Sequence, residues 1–157
     1  MKTILFVCSG NYCRSPLAEG LARLRLQQAG YDGQFVTRSA GTRSVYEGQP
    51  AAPLIQEVLH EIGAEGQANP PHQITPAEID QAAVIFGIAQ EHLDWITQHY
   101  PAAAARTFLL SDLIGERWDV RDPAVQELGA LRECRETIDR VITTGLPELI
   151  RRARGGV

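Results

Sequence analysis

The sequence predicts an α/β fold: three layers, α/β/α, with a central four-stranded parallel sheet. Two observations lead there. Short apolar runs alternate with stretches of helical period along the whole chain. The first run, residues 3–7, is apolar almost throughout, as a strand covered on both faces must be. At 157 residues, 44% of them hydrophobic, the chain is long enough for one domain over 1–157 whose core needs no disulfide or metal.

Each element has a local reason. After the first strand, Pro16 suits the first turn of a helix. Leu17, Leu21 and Leu24 repeat on one face, and Gly30 ends it. Residues 34–39 read as a second strand, followed by a loop through Pro50. Leu54, Ile55, Val58, Leu59 and Ile62 form one helical stripe closed by Gly63. Thr75-Pro76-Ala77-Glu78 is a capped helix start. Residues 82–88 are a third strand, 90–99 a helix and 106–110 a fourth strand. The last long helix buries Leu128, Leu131, Cys134, Ile138, Val141 and Ile142. Its charged residues, Arg132, Glu133, Arg135, Glu136, Asp139 and Arg140, are expected as a solvated stripe. Gly145 and Pro147 interrupt it, and the Arg-rich tail 151–157 is expected to fray.

Charge narrows the partners. Lys and Arg number 15 against 19 Asp and Glu, a net charge of −4. That gives no broad positive surface, so no nucleic-acid and no membrane partner is expected. No apolar stretch nears the ~20 residues that cross a bilayer, and the N-terminus lacks the features of a signal peptide. Three cysteines, Cys8, Cys13 and Cys134, have no metal-binding spacing and fit a reducing cytoplasm. No metal and no cofactor is expected.

The chemistry concentrates in residues 8–15, Cys8-Ser9-Gly10-Asn11-Tyr12-Cys13-Arg14-Ser15, between the first strand and the first helix. In a parallel sheet that junction is the default ligand site. A short loop turning into a helix aims backbone N–H groups and the helix's partial positive charge at one point, which suits an anion. Gly10 permits close approach or a positive φ, Asn11 can pin the turn, and Arg14 offers a planar fork for two phosphate oxygens. The same donors favour a thiolate at Cys8, making it a nucleophile. Ser15 can hydrogen-bond its sulfur. An expelled alkoxide or phenolate needs a proton donor. Asp122, before Pro123, is the leading candidate and Asp119 the weaker one. Asp122-Pro123 also reads as a cap for the last helix.

Residues 7–19, from Val7-Cys8-Ser9-Gly10 to Leu17-Ala18-Glu19, resemble the signature of the low-molecular-weight protein tyrosine phosphatases. Ser39-Ala40-Gly41-Thr42 and Asp122-Pro123 follow in that family's order. The resemblance implies hydrolysis of phosphomonoesters, protein phosphotyrosine foremost, through a phosphocysteine on Cys8. Arg14 would be the phosphate clamp and Asp122 the acid. Substrates would be phosphorylated proteins or small aryl phosphates, with inorganic phosphate as product and ligand. Ser9, Gly10, Asn11, Tyr12, Cys13 and Ser15 would line the substrate's phosphoryl group, with Asn11, Ser15 and Ser39 in a supporting polar network. Asn69 falls where the family places a loop-supporting histidine.

Three departures bear on substrate. Ala124 and Val125 follow Asp122-Pro123, where many members carry aromatic residues. Tyr12 stands where phosphotyrosine enzymes usually have isoleucine and phosphoarginine relatives threonine. Tyr12 with Tyr46 can supply the missing aromatic wall. Phosphoarginine hydrolysis is the alternative on the same scaffold. An arsenate-reductase-like enzyme and a non-catalytic phosphate-binding regulator rank lower. Cys13 either packs under the loop or traps oxidised Cys8 as a disulfide. His60, His72, His92 and His99 are expected to be solvated or locally bonded.

Overall fold

The computed structural model describes residues 1–64, 69–123 and 127–156. Strands β1 (Lys2–Cys8), β2 (Phe35–Gly41), β3 (Ala82–Gly87) and β4 (Thr107–Leu109) form one parallel sheet in the order β2-β1-β3-β4. The helices are α1 (Arg14–Gln28), α2 (Pro53–His60), α3 (Pro76–Gln81), α4 (Gln90–His99), α5 (Leu128–Thr144) and α6 (Leu146–Ala153). None of the described helices is long and apolar enough to cross a membrane.

The pleat of β1 explains the layers. Ile4, Phe6 and Cys8 point to one face, into a core with Leu17 and Leu21 of α1, Leu59 of α2 and Ile138 of α5. Leu5 and Val7 point to the other, against Ile79 of α3 and Ile96 of α4. The sheet is thus buried on both sides, as the apolar run 3–7 requires. The chain passes from β1 to β2 on one side, and β3 lies on the other. The carboxyl end of β1 is therefore the topological switch point.

Boundaries differ from expectation where long-range contacts decide them. Helix α1 begins at Arg14, ahead of Pro16, which brings the arginine into its first turn. β2 continues to Gly41 because its pairing with β1 runs on to Cys8↔Gly41. β4 keeps only three residues between 3₁₀ turns at Pro101–Arg106 and Leu110–Ile114. Asp122-Pro123 does not cap α5, which starts at Leu128 with Glu127 as its N-cap.

Two expectations are corrected. The tail 151–157 does not fray over its described residues. Leu149, Ile150 and Ala153 of α6 are buried, and the Arg152 guanidinium lies 4.1 Å from the Phe108 ring centroid. Arg154 reaches Gln34 and the face of Tyr31. A stripe at helical spacing outweighs the arginine-rich composition. The charged side of α5 is likewise not simply solvated. Arg135 is buried and donates to the Val58 carbonyl and to Glu61. Arg25 of α1 forms a two-point pair with Asp139.

The break between α5 and α6 depends on Gly145. A Cβ there would stand 2.6 Å from Leu113 Cβ and 2.8 Å from the carbonyl oxygens of Leu113 and Val141. Gly145→Ala should therefore destabilise the protein by about 1–3 kcal/mol in urea unfolding. Wild-type stability in that variant would show that the helices do not pack this closely.

Candidate active site

β1 delivers Cys8 to the switch point, and α1 starts six residues later. The turn between them is fixed by Asn11, whose φ of 55° makes it the one non-glycine residue with positive φ among the described residues. Asn11 is buried, and its amide is used on both sides. Nδ2 donates to Ser15 Oγ and to Ser39 Oγ, both at 3.0 Å, and Oδ1 accepts the His72 backbone N–H at 3.1 Å. The positive φ sits on Asn11 rather than on Gly10. Gly10 instead gives clearance: its missing Cβ would stand 3.0 Å from the Tyr46 ring.

Donor accounting sets the direction of the network. Ser15 accepts from Asn11, so its own hydrogen is free for Cys8 Sγ, 2.9 Å away. Ser39 accepts from Asn11 and donates to Glu19 Oε1 at 2.8 Å. Glu19 is 3% exposed, and burial raises its pKa against the pull of Ser39 and Arg23. Backbone bonds hold the Ser-Ala-Gly-Thr segment beside the loop, from Thr42 N to Cys8 O and from Arg43 N to Ser9 O.

Arg14 is buried, with Nη1 donating to the Val120 carbonyl at 2.8 Å and Nε 3.8 Å from Asp122 Oδ1. Asp122 is 73% exposed beside this guanidinium. Asp119 is otherwise engaged, accepting the Gln90 N–H at the start of α4. Tyr12 and Tyr46 stack with centroids 4.2 Å apart and planes 9° from parallel. Ala124 and Val125 lie outside the described residues. Cys13 is buried against Cys134 of α5, and that contact and burial push its thiol pKa up. All three cysteines are free.

Sequence reasoning missed several residues. Asn69 is exposed and takes no part in the described hydrogen bonds of the loop. His72 takes that place, with its backbone N–H on Asn11 and its ring on Glu78. Gln73 ties Thr42 and Ser44 together. His92 is locally bonded through Nδ1 to the Ala89 N–H, within the expectation, but it is also buried against Ser9, which the sequence did not indicate. Glu19 stood inside the signature without a role assigned to it.

The low molecular weight phosphotyrosine protein phosphatase family model matches residues 3–154. This chain belongs to that family. It is 31% identical over 149 residues to the probable low molecular weight protein-tyrosine-phosphatase EpsP of Ralstonia nicotianae, covering 95% of this chain and 97% of that protein. It is 34% identical over 140 residues to a protein-arginine-phosphatase of Geobacillus stearothermophilus, covering 88% and 90%. The solved low molecular weight protein tyrosine phosphatase from T. tengcongensis superposes with a TM-score of 0.85 at 27% identity, covering 94% of this chain and 99% of that one. The family's fold is thus present over nearly the whole chain, with the loop at residues 8–15 at its switch point.

The loop's outer support carries a pH signature. Glu78 raises the pKa of His72 above its usual 6.5, and His72 helps hold Glu78 below its usual 4.5. The histidine's contribution is complete below 6.5 and is lost as pH rises through its raised value. The glutamate's contribution is present above 4.5 and is lost as pH falls through its lowered value. Unfolding of wild type against His72→Gln should therefore differ most between pH 4.5 and 6.5. The difference should shrink by about 0.5–1 kcal/mol in alkali. A difference independent of pH would contradict the pairing.

Proposed function

We propose that this protein is a phosphatase hydrolysing phosphomonoesters, protein phosphotyrosine foremost, through a phosphocysteine on Cys8. The observation that carries this reading is the convergence on one sulfur. Cys8 Sγ receives the Ser15 hydroxyl at the amino end of α1, with the anchored Arg14 guanidinium in that helix's first turn. Backbone amides of loop 8–15 and Arg14 would hold the phosphoryl oxygens. Cys8 Sγ attacks phosphorus, the P–O bond to the substrate breaks, and Asp122 gives its proton to the departing oxygen. Water then gives a proton to Asp122 and attacks phosphorus, and the sulfur leaves stabilised by the Ser15 hydroxyl. Asp122 takes the acid role because Asp119 is committed to α4. Family membership and the match over residues 3–154 support reading 1–157 as one phosphatase domain, and the free thiols fit a reducing cytoplasm.

The stacked Tyr12–Tyr46 pair favours an aryl phosphate, because a planar leaving group finds an aromatic wall beside the loop. Phosphoarginine hydrolysis is the second reading, favoured by the 34% identity to a protein-arginine-phosphatase. There Asp122 would protonate nitrogen instead of oxygen.

Wild type should turn over phosphotyrosine peptides faster than phosphoarginine peptides, and the reverse order would transfer the assignment to the second reading. Asp122→Asn should lower kcat/KM, which reports the steps up to departure of the leaving group, by about 10²–10⁴ for phenyl phosphate. The loss should be far smaller for an ester whose leaving group departs without a proton. Equal losses across leaving groups would remove Asp122 from the acid role.

A further inference from the structure

His92, in the first turn of α4, is 1% exposed and packs onto the phosphate loop. Its Nδ1 lies 3.0 Å from the backbone nitrogen of Ala89. A backbone N–H can only donate, so Nδ1 accepts and carries no proton. Burial and the nearby Arg14 charge hold the ring's pKa down at about 4, so the ring is neutral and its proton resides on Nε2. Nε2 is 2.9 Å from Ser9 Oγ. The imidazole therefore donates and the serine accepts.

The Ser9 hydroxyl hydrogen must then point elsewhere. The other protein acceptor recorded for it is Glu91 Oε1 at 3.4 Å. That is well beyond the 2.5–3.0 Å of a good O–H···O bond. A poorly used donor thus sits one residue past Cys8, on a loop where Asn11, Arg14 and Ser15 are each engaged at 2.8–3.1 Å.

We propose that His92 is a positioning residue: by donating to Ser9 Oγ it turns the Ser9 hydroxyl hydrogen toward the phosphoryl group entering the loop. Ser9 then adds a side-chain donor to those of Arg14 and the backbone amides. Without the imidazole proton, the hydroxyl is free to rotate and its hydrogen goes to Glu91 or to water. The inference rests on the phosphatase reading only in taking the loop as a phosphoryl site.

Calorimetric titration with inorganic phosphate, which needs no turnover, tests it. His92→Gln puts an amide N–H near the position of Nε2, whereas His92→Asn puts an amide oxygen near Nδ1 and leaves Ser9 without a donor. Ser9→Ala and His92→Asn should each weaken phosphate binding about tenfold, as expected for a lost hydrogen bond to a charged group. His92→Gln should stay within about threefold, and the double variant Ser9→Ala/His92→Asn should bind no worse than Ser9→Ala. Wild-type binding in His92→Asn with impaired binding in His92→Gln would make His92 a cap for α4 and overturn the inference. Full affinity in Ser9→Ala, or losses that multiply in the double variant, would overturn it as well. Melting curves control for folding, and Ser9→Ala, at a partly exposed position, keeps the test open if the His92 variants unfold. Failure of wild type itself to bind phosphate would instead overturn the reading of the loop.

Discussion

A left-handed backbone at Asn11 is the constraint on which the site depends. A side chain at positive φ costs free energy unless its surroundings hold it there. Here three hydrogen bonds do so, from one buried amide to Ser15, Ser39 and the His72 backbone. Because Asn11 donates to both serines, each serine passes its own hydrogen onward, one to the Cys8 sulfur and the other to Glu19. The conformation of the turn and the hydrogen-bond direction at the sulfur are therefore one fact. A glycine at position 11 would accept the backbone angle more easily and lose the direction.

The rest of the fold supplies fixed points for that turn. Parallel pairing of β1 with β2 runs to Cys8↔Gly41 and brings Ser39 and Thr42 alongside the loop. The segment after α2 returns to the same place, so that His72 and Gln73 close the far side. Helix α4 approaches from the opposite layer and presses His92 onto Ser9. The anion site proposed for this acidic protein rests on local attraction. Arg14 is buried among backbone dipoles, where its charge is poorly screened, while the surplus carboxylates lie in solvent.

What the sequence made legible was what lies close together in it. The buried first strand, the contiguous loop at residues 8–15 and the helix after it follow from periodicity and turn chemistry, and Ser15 beside Cys8 from a separation of seven residues. The partners that arrive from afar were not legible. His72 meets Asn11 across 61 positions and His92 meets Ser9 across 83, and no local pattern distinguishes either histidine from a solvated one. The α6 tail was misread for a related reason: its arginines dominate the composition, yet the guanidinium groups of Arg152 and Arg154 lie over the rings of Phe108 and Tyr31, which are distant in sequence. Asp122 already ranked above Asp119 in the sequence, and the structure adds that Asp119 accepts the Gln90 N–H at the start of α4.

The central claim is that the sulfur held by Ser15 forms a covalent bond to phosphorus. Rapid acid quench during turnover of an aryl phosphate, followed by mass analysis of the intact protein and its N-terminal peptide, observes that bond directly. The account predicts a phosphoryl adduct on the peptide containing Cys8, formed before phosphate is released and lost in Cys8→Ala. Steady release of phosphate with no adduct at any time, or an adduct on another residue, would contradict it.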